Sequence, residues 1–171
     1  MIPHSVITAW RQHADWPLDE QVEQDLVISS ALVSLFNNKY IKDKVAFRGG
    51  TALHKLIFPS PLRYSEDIDL NRLECGPVKP LLIEVRNALK DILGTKRSVE
   101  STKDSVKLFY NFQDISGGSR NLKIEINTRE ILPQKPLEKI HFYVRSNFFD
   151  GDAILNVFAR EEMVGTTFRT L

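Results

Sequence analysis

The sequence predicts an α/β or α+β domain, a small sheet with helices packed on it. Two observations predict it. Apolar residues at helical spacing occupy Leu18 to Leu35 and again Leu81 to Leu93. Between and after these runs, apolar and polar residues alternate, as in Val106, Leu108, Tyr110 and Phe112, and in Leu122, Ile124 and Ile126. Helices and strands therefore follow one another along the chain, the order expected of a helix-covered sheet.

Each element has its local reason. Asp15 as a cap and Pro17 in the first turn predict the start of a long helix that runs to about Asn37. Lys39 to Lys44 is a polar link, read as a solvated loop. Val45, Ala46 and Phe47 form a short buried strand running into Gly49-Gly50, and Thr51 to Ile57 reads as a short helix stopped by Pro59 and Pro61. Arg63 to Leu73 alternates as a strand, until Gly76 and Pro77 break it. The helix of Leu81 to Leu93 stops at Gly94. Ser105 to Phe112 and Leu122 to Ile126 form a hairpin about the turn Ser116-Gly117-Gly118-Ser119. Ala153 to Ala159 is a further strand candidate, and Glu161 to Leu171 reads as a helix. Trp10 and Trp16 anchor the N-terminal segment, and Tyr110 and Phe112 belong to the core.

Composition narrows the function classes. The 171 residues suit one domain, and 23 basic against 22 acidic residues leave a net charge of +1. That balance argues against a polycation that coats nucleic acid or an anionic membrane. With 42% hydrophobic and 26% charged residues, the chain can build a core. Cys75 is the single cysteine, so an intramolecular disulfide and a cysteine zinc finger are excluded, and a cytoplasmic setting is expected. No leader pattern is visible, and no apolar stretch approaches the roughly 20 residues a bilayer span needs.

Three constellations carry chemistry. In Phe47-Arg48-Gly49-Gly50-Thr51-Ala52-Leu53, two glycines let the backbone turn and approach a ligand, and the helix that follows offers N–H groups to a phosphate. The same pattern also makes a tight strand-to-helix turn. In Arg63-Tyr64-Ser65-Glu66-Asp67-Ile68-Asp69-Leu70, alternation puts Asp67 and Asp69 on one face, their Cα atoms roughly 6.6 Å apart. Such a pair repels itself unless a cation lies between or water solvates it. Hard oxygens in this pattern suit Mg²⁺; a solvated outer face is the alternative. In Lys123-Ile124-Glu125-Ile126-Asn127, Glu125 becomes a third carboxylate if its strand lies beside that of Asp67 and Asp69. Three carboxylates can hold two metal ions. Otherwise this is a polar strand face. His54 and Lys55 follow the glycines and are read as surface residues. Lys103, Lys107, Arg120 and Lys123 form a hairpin face that is either solvated or open to RNA.

The order of these motifs resembles the nucleotidyltransferases of the DNA polymerase β superfamily and, more closely, the AbiEii/AbiGii-type toxin family. The resemblance runs from about Asp15 to the end of the chain. It implies a polymerase β-like fold with a small mixed sheet flanked by helices, over a single nucleotidyltransferase domain, residues 1–171. Gly49, Gly50 and Thr51 would face the nucleotide phosphates, and Ser65 would hydrogen-bond the triphosphate. Asp67, Asp69 and Glu125 would be the catalytic, metal-binding carboxylates. The implied cofactor is Mg²⁺ or Mn²⁺, with a nucleoside triphosphate as substrate, GTP among the candidates. The implied reaction transfers a nucleoside monophosphate to an acceptor hydroxyl, with RNA or tRNA as a candidate acceptor. The implied setting is a toxin–antitoxin or phage-defence pair with a cognate antitoxin regulator. Two departures accompany the resemblance. Thr167 stands where the family carries a lysine, a point charge that threonine cannot replace. The family's C-terminal helical lobe is expected to be truncated or absent. These departures leave a catalytically degenerate nucleotide-binding or partner-binding module as the alternative.

Overall fold

The structure, a computed structural model, describes residues 1–58, 64–129 and 132–169, the last four by their backbone. Pro59, Pro61, Arg63 and Leu171, which enter the sequence reading above, lie outside the described residues, as does the side chain of Thr167.

A first helix, α1 (His4–Trp10), precedes the expected one and buries Val6, Ile7 and Trp10. The long helix α2 (Asp19–Asn37) starts later than the cap expected at Asp15. Leu18 is still extended and donates its N–H to Gln21 Oε1 at 3.3 Å, and Asp19 and Glu20 place negative charge in the first turn, where the helix dipole favours it. From Val22 to Phe36 nearly every residue of α2 is buried, so this helix is the central post of the fold. A 3-10 turn over Ile41–Asp43 follows, with Ile41 buried and Lys44 ion-paired to Glu74, so the segment read as a solvated loop is partly packed.

The sheet is mixed and seven-stranded, in the order β3-β4-β5-β2-β1-β7-β6. Its centre is the antiparallel pair β1 (Val45–Arg48) and β2 (Asp67–Arg72), in register from Val45↔Arg72 to Arg48↔Asp69. β5 (Ser119–Asn127) lies parallel to β2, and β4 (Ser105–Gln113) forms the predicted hairpin with it. Asp114 shapes the hairpin turn: its carboxylate accepts from the N–H groups of Ser116 and Gly118 and from Arg120, and Gly117 takes φ +80°. β3 (Arg97–Ser101) extends this flank. On the other flank, β7 (Asp150–Val157) meets β1 in parallel at Phe47↔Val157, and β6 (Glu138–Arg145) is the outer strand. β7 begins and ends before the span expected of it.

Three further helices complete the layers: α3 (Gly49–Leu56), α4 (Lys79–Leu93), which ends at Gly94 with φ +68°, and α5 (Arg160–Arg169). The inner residues of the strands, Phe47, Ile68, Leu70, Leu108, Ile124 and Ile126, are fully buried with Leu26, Ile28 and Leu32 of α2. Each such side chain contributes on the order of 1.5–3 kcal/mol. Because successive side chains alternate across a sheet, burying Ile68 and Leu70 sends Asp67 and Asp69 to the opposite face. No helix among the described residues is long and apolar enough to cross a membrane.

Candidate active site

The site is built where β1 runs into α3 beside β2 and β5. α3 begins at Gly49, two residues earlier than the expected Thr51. Gly49 has φ +85°, and a Cβ there would overlap the Asp69 carboxylate, so both backbone freedom and space require glycine. A Cβ on Gly50 would make ordinary contact, 3.6 Å, with Ser65 Oγ. Thr51 is fully buried. Its hydroxyl lies 2.6 Å from Ser65 Oγ and donates to the Asp67 carbonyl oxygen at 2.5 Å. The side chains of Thr51 and Ser65 thus tie the first turn of α3 to the entry of β2. No side chain caps this helix start, which leaves its first backbone N–H groups for a ligand or water.

The carboxylates come together as the alternation requires. Asp69 lies opposite Arg48 of β1 on one side and Glu125 of β5 on the other. Asp67 lies opposite Lys123. Neighbouring strands run about 4.8 Å apart, so Asp67, Asp69 and Glu125 share one face of two adjacent strands. Burial, reinforced by the neighbouring Asp67 and Glu125, pushes the Asp69 carboxyl up to about 6, although Lys123 and Arg48 oppose the shift.

Lys123 is the member of the site that the sequence reading placed elsewhere, on an RNA-facing or solvated hairpin. Its Nζ lies 2.8 Å from Asp67 Oδ2 and 3.6 Å from Glu125 Oε2. The bond to Asp67 and the three surrounding carboxylates raise its pKa despite partial burial. The signal was available, because Lys-x-Glu on a strand puts both side chains on one face. Of the other cations in that group, Arg120 pairs with Asp114 at 2.9 Å, and Lys107 lies opposite Glu125.

The donor set suits a hard divalent cation: three carboxylates, no sulfur or imidazole, and a surplus of negative charge at Asp69. Among the described residues, no three His, Cys, Asp or Glu side chains are already drawn together at ligand distances. The Lys123 ammonium supplies positive charge between Asp67 and Glu125.

His54 and Lys55 depart from the surface reading. The Lys55 side chain is 6% exposed, and its Nζ lies 2.7 Å from Asp25 Oδ2. A lysine in the last turn of a short helix reads as solvent-facing unless the residue facing it is known, and here that residue is thirty positions away.

Comparison with known proteins places the chain in a family and supports its fold. The sequence model of the nucleotidyl transferase AbiEii toxin family, a type IV toxin–antitoxin system, matches residues 30–171. The chain belongs to the AbiEii family. No curated protein matches it significantly in sequence. Among solved structures, MenT4, a nucleotidyltransferase toxin from Mycobacterium tuberculosis H37Rv, superposes with a TM-score of 0.65 at 16% identity, covering 99% of this chain and 59% of that one. A candidate nucleotidyltransferase from H. pylori superposes with a TM-score of 0.59 at 15% identity, covering 87% and 58%. The chain thus spans about three fifths of the length of these solved structures, and the likeness to them is one of fold. The AbiEii match includes all three motifs, Phe47 to Leu53, Arg63 to Leu70 and Lys123 to Asn127.

Proposed function

We propose that this AbiEii domain transfers a nucleoside monophosphate from a nucleoside triphosphate to an acceptor hydroxyl, as the toxin of a toxin–antitoxin or phage-defence pair. One observation carries the reading: Asp67, Asp69 and Glu125 share a face on two parallel neighbouring strands, beside a glycine-started helix. In the reaction, the acceptor oxygen bonds to the α-phosphorus, the bond to the bridging oxygen breaks, and pyrophosphate leaves with its electron pair. The hydroxyl proton passes to solvent.

The residues divide this work. Gly49 and Gly50 keep the start of α3 low and bare, so its N–H groups meet phosphate oxygens at the positive end of the helix dipole. Thr51 and Ser65 fix that turn against β2. Asp67, Asp69 and Glu125 would hold Mg²⁺ or Mn²⁺, which when bound would neutralise triphosphate charge and activate the acceptor hydroxyl. Lys123, which pairs with Asp67, would be free of that partner were a cation bound there, and its charge would then face the phosphates. Catalysis in such a site rests on positioning and charge neutralisation. GTP is among the triphosphates to test, RNA or tRNA among the acceptors, an antitoxin regulator is the expected partner, and the cytoplasm the expected compartment.

A second reading, a nucleotide-binding or partner-binding module without turnover, is favoured by Lys123, whose ammonium already pairs with Asp67 and approaches Glu125. Titration calorimetry of each triphosphate with Mg²⁺ against the parent, Asp67→Ala and Asp69→Ala tests the site. The expected result is binding by the parent and a loss of at least tenfold in both variants. Equal binding in all three would remove the carboxylates from the account, and tight binding without turnover would establish the module.

A further inference from the structure

A second concave site lies away from the carboxylates, where α1, α2 and the C-terminal end of α3 approach the outer strand β6. It is a cavity of about 310 Å³, within the range of small-ligand sites. Its floor is polar and buried. The Lys55 and Asp25 side chains, each 6% exposed, pair at 2.7 Å, and Lys55 Nζ also donates to Ser29 Oγ at 2.9 Å. Asp25 is saturated further by the indole N–H of Trp10 at 3.0 Å. An ammonium has three N–H groups, and among the described residues the third one of Lys55 has no partner. Beside it, His54 Nδ1 is buried without a partner. The walls are aromatic: Trp10, Phe58 and Tyr143.

Charge decides which ligand this lining suits. Lys55 is neutralised by Asp25, and burial together with the Lys55 charge pushes His54 toward its neutral form. At the rim, Arg145 is paired with Asp150 at 2.9 Å and His141 with Asp152 at 2.8 Å. Lys55, Arg145 and His141 are thus already paired with carboxylates, so a free phosphate gains little from them. A neutral, flat heterocycle gains more. Its carbonyl or ring nitrogen can take the spare Lys55 N–H, and its faces can stack on Tyr143 or Phe58. From the loop at the start of α3 to this floor is one short helix, about 12 Å long at 1.5 Å per residue.

We propose that this cavity binds a nucleobase, displayed by an unpaired stretch of RNA or carried by a free nucleoside. The proposal is separate from the transfer reaction, because it needs neither triphosphate nor metal. The chain has two tryptophans, so its indole N–H groups give two NMR signals, and the one from Trp10 reports on the floor. The ¹⁵N-labelled full chain is titrated, without divalent cations, with adenosine, uridine, a single-stranded hexaribonucleotide and inorganic phosphate. The expected result is a saturable shift of the Trp10 signal with the hexaribonucleotide and the nucleosides and none with phosphate. Asp69→Asn should bind like the parent. Tyr143→Ala, at a half-exposed edge-strand position, should weaken binding at least about fivefold, because one base–aromatic stack is worth about 1–3 kcal/mol. Saturation by nucleosides but not by the hexaribonucleotide would support the base site and assign it to free nucleosides. An unmoved Trp10 signal, an equal shift with phosphate, or unchanged binding in Tyr143→Ala would each overturn the proposal.

Discussion

Asp69 concentrates the electrostatic tension of the site. It sits against Gly49, between Arg48 and Glu125, with its carboxyl held near 6 by burial and by Asp67. A carboxyl whose pKa is raised in the fold binds its proton more tightly there than in the unfolded chain, so stability is lost as pH rises from about 4 through about 6. Asp69→Asn removes that loss. In EDTA, denaturant titration should show the variant about 3 kcal/mol more stable than the parent at pH 8, with little difference at pH 4. Greater stability of the parent at pH 8 would contradict the shift. Lys123 gives a second residue-scale expectation. A divalent cation must displace its ammonium from Asp67, so Lys123→Met should tighten Mn²⁺ binding, measured calorimetrically, by roughly threefold, the worth of one half-exposed ion pair. Weaker Mn²⁺ binding would mean that Lys123 supports the cation site instead of competing for it.

The elements were legible where a period was long or a chemical signature sharp. α2, α4 and the β4–β5 hairpin declared themselves through repeated apolar positions, and Gly94 ends its helix with the positive φ that its type suggests. α1 is less than two turns long, too short for periodicity to register. β3 carries Val99 as its one large apolar residue and is mostly exposed, so it takes its place from pairing with β4. β6 does alternate, with Ile140, Phe142 and Val144 inward, but Tyr143 among them blurs the pattern. Asp67 and Asp69 were legible as a pair because alternation alone puts them on one face. That β5 would lie next to β2, in the register Asp69↔Glu125, was a condition that only the folded sheet could meet. The Asp25–Lys55 pair was illegible for a related reason: it joins two helices across thirty residues. Such a pair is costly to break singly. Lys55→Met strands a buried carboxylate and should destabilise the fold by about 3–5 kcal/mol in a denaturant titration. A loss under 1 kcal/mol would show that water reaches Asp25.

At the scale of the molecule, the near-zero net charge conceals a strong local arrangement. Three carboxylates share one face of the sheet, while at the far end of α3 a balanced, aromatic-lined cavity opens beside β6. A single helix, α3, joins the two, and it is started by the glycine that lets Asp69 fit. Membership of the AbiEii family gives this layout its chemical sense. The most direct test is transfer itself: the chain is incubated with Mg²⁺, each α-labelled triphosphate and total RNA, in parallel with Asp67→Ala and Asp69→Ala. The account predicts label on RNA from the parent and a loss of at least a hundredfold in both variants. Transfer that is equal in all three proteins would contradict it.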